Sequence, residues 1–301
     1  MSSRPKVHAV IVLYNPEETT LRKTFFSLIK QVDKIYLINN TPLGKGIFPF
    51  CFHGRSEVVS FGENKGVAYA QNVGIRKSLE NGADYILLSD QDTVYPDGYV
   101  KKILECFTDD KIAAVGPVFV DVYSGRRRFF ITTDGKHFKK IEVSSGKQLV
   151  LQLISSGTII KSSVIKTIGY MREDLFIDWV DLEWSWRAVS KGYKLLGNSN
   201  VFIYHCLGKG IKKFWGREIF LEDPFRYYYI IRNSVFLATK TDLLNRNLRM
   251  WLLLKSLGKI FVYSMLSDEH LAAFKNSIIG LYHGVIGKLG KFDTGDNEAK
   301  V

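Results

Sequence analysis

Over its first 90 residues this chain alternates short apolar runs with stretches of helical period, and no other feature restricts its fold as much. Residues 7–13 form a β-branched apolar run that stops at Tyr14-Asn15-Pro16. Residues 17–32 then carry Leu21, Phe25, Leu28, Ile29 and Val32 at helical spacing, with Asn15-Pro16 as the start signal. A second strand spans 35–38 and a third spans 58–61. A helix over 67–81 is closed by Gly82, and a fourth strand covers 85–89. Strands alternating with helices predict an α/β protein built on a doubly wound, mostly parallel sheet. Such sheets bind ligands beyond the carboxyl ends of their strands. Three polar clusters fall at such ends: Tyr14-Asn15, Asn39-Asn40 and Asp90-Gln91-Asp92.

The last cluster carries the most chemistry. Side chains alternate along an extended chain, so Asp90 and Asp92 leave the strand tip on the same side. Two adjacent carboxylates repel unless a cation sits between them, and a hard ion such as Mg2+ or Mn2+ would also grip phosphate oxygens. The competing reading is a solvated turn, since Pro96-Asp97-Gly98 follows closely. Asn64-Lys65-Gly66 opens the 67–81 helix, where Gly66 permits close backbone approach and Lys65 adds positive charge at a helix start. Asn72 lies about two turns beyond Asn64. A well-capped surface helix explains the same residues without a ligand. No Gly-x-Gly-x-x-Gly or Walker-type loop is present, so dinucleotide and NTPase functions have no anchor.

A second constellation crowds three acids and three tryptophans into 178–187. Asp178 suits an N-cap, and Glu183 with Arg187 suits an i,i+4 ion pair. Asp181 has no such structural excuse. A carboxylate among tryptophans should have a raised proton affinity, as a general base for a sugar hydroxyl requires. The tryptophans stack on sugar rings or belong to the core. His205 ends a later strand, as a structural residue or as a metal ligand.

The chain has 301 residues and a formal net charge of +12, which favours partners that are polyanions: nucleic acid, anionic lipid or nucleotide phosphates. The basic residues are dispersed and form no nucleic-acid module, so a non-enzymatic polyanion-binding protein is a remote reading. Three scattered cysteines support neither a disulfide frame nor a thiolate zinc site and fit a reducing compartment. Residues 1–13 do not read as a signal peptide, and no uninterrupted apolar stretch is long enough to span a bilayer. Further along, Gly125-Arg126-Arg127-Arg128 reads as a solvated turn of a hairpin or as a phosphate or acceptor contact. Strands are expected over 149–154 and 157–160, a helix over 178–192, and two strands over 193–196 and 201–204. Glycines and lysines surround Trp215, and 225–290 reads as helices with a greasy and a basic face.

Taken together, residues 10–15, Asn64-Lys65-Gly66 with Ala68, Ala70, Asn72 and Gly74-Ile75, Ser89 to Thr93, Asp178 to Arg187, His205, and Arg226 to Asn233 resemble glycosyltransferase family 2. These are inverting enzymes of the GT-A fold, and the likeness runs to the bacterial rhamnosyltransferase branch. The resemblance implies a glycosyltransferase domain over 1–210, with a donor half near 1–115 and an acceptor half near 116–210. A C-terminal helical region over 211–301 would serve membrane association or oligomerisation. It implies Mg2+ or Mn2+ held by Asp90, Asp92 and His205, with Asp92 the more direct ligand, and Asp181 as catalytic base. Donor contacts would come from Tyr14, Asn15, Asn40, Asn64, Lys65, Gly66, Asn72, Asp90, Gln91 and Asp92. Acceptor contacts would come from Asp178, Trp179, Glu183 and Trp215. Many relatives end the second strand in a nucleoside-binding aspartate, where this chain has Asn39-Asn40. The branch implies a dTDP-L-rhamnose donor and a saccharide acceptor, lipid-linked, at the inner face of the cytoplasmic membrane in cell-surface polysaccharide synthesis (O-antigen or capsule). A galactofuranosyl or other hexosyl transferase using a UDP-sugar would share every motif. The expected location is cytoplasmic, with no nucleic-acid partner, and a homo-oligomer is compatible with the sequence.

Overall fold

The computed structural model describes residues 4–121, 125, 127–141, 146–205 and 210–292. The first half builds β1 (Val7–Leu13), α1 (Glu18–Leu28), β2 (Lys34–Asn39), β3 (Ser56–Ser60), α2 (Val67–Glu80), β4 (Tyr85–Asp90), α3 (Tyr99–Leu104) and β5 (Ile112–Asp121). Next come β6 (Phe130–Thr133), β7 (Phe138–Ile141), β8 (Lys147–Val150), β9 (Ile159–Lys161), α4 (Ile165–Ile168), α5 (Val180–Ser190) and β10 (Lys194–His205). The C-terminal part holds β11 (Gly210–Phe214), β12 (Arg217–Leu221), α6 (Pro224–Lys240), α7 (Arg246–Leu266) and α8 (His270–Ile286).

The main sheet has the order β3-β2-β1-β4-β9-β5-β10-β8. Strands β3, β2, β1 and β4 pair in parallel, as the alternating pattern predicts. The strand β9 is inserted antiparallel between β4 and β5, and β8 closes the far edge antiparallel to β10. Both faces are covered. Along β1, Ala9, Ile11 and Leu13 pack with Leu21, Phe25 and Leu28 of α1, while Val10 faces Ile75 of α2. Period-two alternation into two cores explains why the strand reads as a continuous apolar run.

The expected pair of strands near 193–204 is one strand with an irregularity. Its register against β5 slips between Asn198 and Phe202, opposite Pro117. Proline has no N–H to donate, so the ladder cannot continue there and the chain bulges. The bulge is tied down by the Ser199 N–H on the Gly146 carbonyl at 2.8 Å and the Asn198 amide on Cys106 Sγ at 3.2 Å. The expected 149–154 strand is displaced to β8, with Gln152 making only an isolated bridge to Ile131. The 157–160 strand is shortened to β9. The arginine triplet is not simply a solvated turn. Arg127 bridges Val120, and Arg128 pairs with Glu218 at 3.3 Å and lies over the Phe220 ring. Arg126 lies outside the described residues.

Helix α6 is buried along most of its length, and α7 and α8 pack against it. Its approach to α8 is close because Gly280 and Gly284 lack side chains. A Cβ on Gly280 would stand 2.5 Å from the Tyr228 carbonyl oxygen, and one on Gly284 would stand 2.6 Å from that of Arg232. Backbone cannot yield as a flexible side chain would. We expect Gly280→Ala to destabilise the protein by about 1–3 kcal/mol through overpacking. Gly258→Ala, in open space on α7, should instead stabilise by roughly 0.5–1 kcal/mol from helix propensity. Urea titrations of the two variants check both signs.

Candidate active site

The carboxyl ends of β1, β2 and β4 meet in one network. The Tyr14 N–H donates to Gln91 Oε1 at 2.8 Å, and Gln91 Nε2 returns a bond to the Tyr14 carbonyl at 3.0 Å. This pairing locks the ends of β1 and β4 together. Asn15 adopts a left-handed φ of 44° and its N–H donates to Thr41 Oγ1 at 2.9 Å. Burial raises the Tyr14 hydroxyl above the usual phenol value, opposed by hydrogen bonds with the Asn15 and Asn64 side chains.

The two asparagines after β2 do different work. Asn39 is fully buried, with its amide donating to the Lys45 carbonyl and Ser60 Oγ and its carbonyl accepting from the Thr41 N–H. It braces the strand end. Asn40 donates to Asn64 Oδ1 at 2.8 Å and accepts from the Lys65 N–H at 2.8 Å, while Asn64 Oδ1 also accepts from the Gly66 N–H. Asn40 and Asn64 therefore shape the turn at the start of α2. Gly66 at φ 86° lies under Phe176, where a Cβ would come 2.6 Å from the ring. Lys65 reaches Glu63 at 3.1 Å and lies over Tyr69.

Asn72 is a correction. Its amide donates to the Met171 carbonyl and to Glu173, its own carbonyl accepts from the Met171 N–H, and it is buried. Every polar atom is committed to the 171–173 turn, leaving none for a donor. Glu173 is held in addition by Arg76 at 2.7 Å.

The segment before α5 has an unusual backbone. Phe176 adopts φ 67°, ψ −67° while the Ile177 N–H donates to the Leu175 carbonyl at 2.8 Å. That is a tight γ-turn of the strained hand. Asp178 and Trp179 follow with φ of 60° and 67°. Left-handed non-glycine residues cost of order 1–3 kcal/mol each and persist only where the surroundings impose them. Here α6 imposes them. Asn233 Nδ2 donates to the carbonyls of Leu175, Ile177 and Asp178 at 3.0, 2.8 and 2.9 Å. Buried Arg232 reaches the carbonyls of Leu175 and Gly290 and orients Asn233 through Nε. Arg226 pairs with Asp178 at 2.7 Å.

These contacts revise the acceptor-side expectations. The N-cap position of α5 is Trp179, with no side-chain cap, and Asp178 is an ion-pair partner of Arg226 instead. Glu183 is buried and held bidentately by Arg187 at 2.9 and 2.7 Å, so the i,i+4 pair forms and Glu183 is not free for an acceptor. The Trp179 indole donates to the Ile230 carbonyl at 2.9 Å, and the Lys259 ammonium lies 5.4 Å above its ring. Trp184 and Trp186 are core residues. Trp215 is 92% exposed at the β11–β12 turn, stacked on Phe214.

Asp181 occupies the first turn of α5. Its Oδ2 accepts from the Ser155 N–H at 3.1 Å and its Oδ1 from the Leu182 N–H at 2.9 Å. A pocket lined by Leu88, Ala114, Leu153, Ile160 and Trp184 adjoins it. Burial there pushes its pKa up to about 6; the two backbone hydrogen bonds oppose the rise and the nearby Asp90 charge adds to it. Asp181 is thus in electrostatic reach of Asp90 at the end of β4, although more than 85 residues separate the two in sequence. Asp90 and Asp92 are partly exposed. His205 ends β10 beside Tyr204, whose bridge to Val94 puts that strand end next to the Asp92 loop. Its side chain lies outside the described residues. Among the described residues no group of three His, Cys, Asp or Glu side chains is placed to hold a metal. Two hard carboxylates still suit Mg2+ or Mn2+, which complete their shell with phosphate oxygens and water.

Sequence reasoning gave no role to Ser155 or to the α6 clamp. The co-occurrence of Arg226, Arg232 and Asn233 in one helical stretch was the available signal.

Solved structures with this fold include residues 1–349 of S. aureus TarS in complex with UDP-GlcNAc. That chain superposes with a TM-score of 0.58 at 14% identity, covering 93% of this chain and 81% of its own. The fold is that of GT-A glycosyltransferases. A model described as glycosyl transferase family 2 matches residues 9–169, and the chain belongs to that family. It is 33% identical over 241 residues to dTDP-rhamnosyl transferase RfbF of Shigella flexneri, covering 78% of this chain and 80% of the relative. A hexosyltransferase of low-salt glycan biosynthesis from Haloferax volcanii, Agl10, is 21% identical over 94% of this chain and 92% of its own. The protein is a glycosyltransferase.

Replacing Asn233 by Ala removes one donor from three carbonyls of the strained turn. We expect turnover to fall at least about tenfold, with the donor KM little changed, in a chain that stays folded by circular dichroism. Steady-state kinetics of N233A check this.

Proposed function

We propose that this enzyme transfers L-rhamnose from dTDP-L-rhamnose to a saccharide acceptor, with inversion at the anomeric carbon. The donor rests on the 33% identity to a dTDP-rhamnosyl transferase over most of both chains. The acceptor is a lipid-linked saccharide in bacterial cell-surface polysaccharide synthesis, met at the inner face of the cytoplasmic membrane.

The observation that carries the mechanism is Asp181, a buried carboxylate of raised pKa within electrostatic reach of Asp90. Its oxygens accept from the Ser155 and Leu182 N–H groups, which fixes the plane of the carboxylate. Asp181 accepts the proton of the attacking hydroxyl as the new C–O bond forms and the bond to the diphosphate breaks. A pKa near the working pH makes it an efficient base. Asp90 and Asp92, with His205 as the further ligand that the family resemblance implies, would hold Mg2+ or Mn2+, and such an ion would supply Lewis-acid neutralisation of the departing diphosphate. The Asn40–Asn64–Lys65 turn and Gly66 form the donor cradle with Tyr14, Asn15 and Gln91. Asn40 acts there through the turn it holds, and Lys65 adds positive charge.

Three outcomes are expected. Asp181→Asn lowers kcat by roughly 10²–10⁴-fold, measured by mass spectrometry with dTDP-L-rhamnose and a synthetic lipid-linked acceptor; near-normal turnover in folded protein would remove the base assignment. Because the base works only when ionised, kcat/KM falls below pH about 6, approaching a tenfold loss per unit, and is flat above it. Chelation abolishes transfer and Mg2+ or Mn2+ restores it. A panel that includes UDP-hexoses tests the donor, and preference for a UDP-sugar would replace rhamnose.

A further inference from the structure

Helices α7 and α8 lie over α6, and each turns a second apolar stripe away from it. On α7 the inward residues are Leu248, Leu252, Ser256, Ile260 and Tyr263. On its opposite side a stripe running from Met250 to Met265 includes Leu254, Leu257 and Phe261 at spacings of three and four. On α8 the inward residues are Ala273, Ser277, Gly280 and Gly284, and the outward stripe includes Phe274, Ile278 and Tyr282. These six outward side chains are between 40% and 65% exposed. Single exposed apolar residues are ordinary, but such stripes on two helices that pack side by side mark a binding surface.

We propose that this double stripe docks the enzyme onto an anionic bilayer surface, with α7 and α8 lying in the plane of the interface. Three observations select that occupant. No helix among the described residues is long and apolar enough to cross a membrane, so contact is superficial. Residues 246–291 contain seven lysines and arginines against two acids, one of which, Asp268, is paired with Lys212 at 2.7 Å. Apolar faces flanked by cations match the acyl boundary and its anionic headgroups. A symmetric contact between two copies would set this patch against itself and bring the excess positive charge together. The sequence pattern suggested one greasy and one basic face for this region. Instead the inward face packs on α6, and the outward face is apolar with Lys275 within it and other basic residues at its margins.

The proposal deepens the lipid-linked acceptor reading, yet its test needs neither donor nor acceptor. The full chain is floated with vesicles of phosphatidylglycerol and phosphatidylethanolamine, and separately with phosphatidylcholine alone. Wild type should float with the anionic vesicles, less so at high salt, and poorly with phosphatidylcholine. Leu257→Asp/Phe261→Asp and, on the other helix, Ile278→Asp/Tyr282→Asp should each weaken anionic partitioning by at least about tenfold. Both should keep wild-type circular dichroism and wild-type turnover on a water-soluble acceptor. The proposal is overturned if wild type stays off the anionic vesicles or if folded variants float as well as wild type. It is also overturned if light scattering finds a lipid-free dimer that these substitutions dissociate. A chain that floats but transfers no sugar would sink the transferase reading and leave this surface standing.

Discussion

The hydrogen bonds from Asn233 and Arg232 to the carbonyls of residues 175–178 hold the site together. Without them the γ-turn at Phe176 and the left-handed Asp178 and Trp179 would relax into ordinary backbone, and α5 would start elsewhere. Several other contacts depend on that turn. The Phe176 carbonyl accepts from the Ala68 N–H at the start of α2, and the Phe176 ring covers Gly66. The turn therefore joins the donor-side helix to the helix bearing Asp181, and a buried guanidinium from α6 secures the joint.

This arrangement makes the C-terminal helices part of the catalytic architecture. Arg226, Arg232 and Asn233 all come from α6, and Lys259 of α7 sits above Trp179. Burial lowers the proton affinity of Lys259, while the Asp178 carboxylate opposes the change. The Asp178 carboxylate is thus paired with Arg226 of α6 and within electrostatic reach of Lys259 of α7.

Much of the donor half was legible in the sequence because its signals are local. Strands β1, β2 and β4 and helix α2 follow from apolar runs and periodicity, and the polar clusters at their ends do converge. The surroundings of Asp181 come mainly from Leu88, Ala114 and Ile160 of β4, β5 and β9, with Trp184 alongside them, and the tryptophan-rich sequence beside Asp181 does not announce those strands. What the sequence concealed was long-range pairing. Nothing near Asn72 announces that its partners lie at Met171 and Glu173, and nothing near Asp178 announces Arg226 as its partner. The bulge in β10 likewise depends on Pro117 in a neighbouring strand, which no reading of residues 193–204 alone could supply.

The antiparallel course of β9 has a consequence for the chain that leads into it. Its neighbours β4 and β5 bring their finishing ends to the cleft, whereas β9 brings its beginning there, together with the Ser155 amide that steadies Asp181. The chain between β5 and β9 is thus an excursion that must return to the same rim of the sheet from which it left. A change in the length of that excursion would therefore leave the parallel β3-β2-β1-β4 half of the sheet in place.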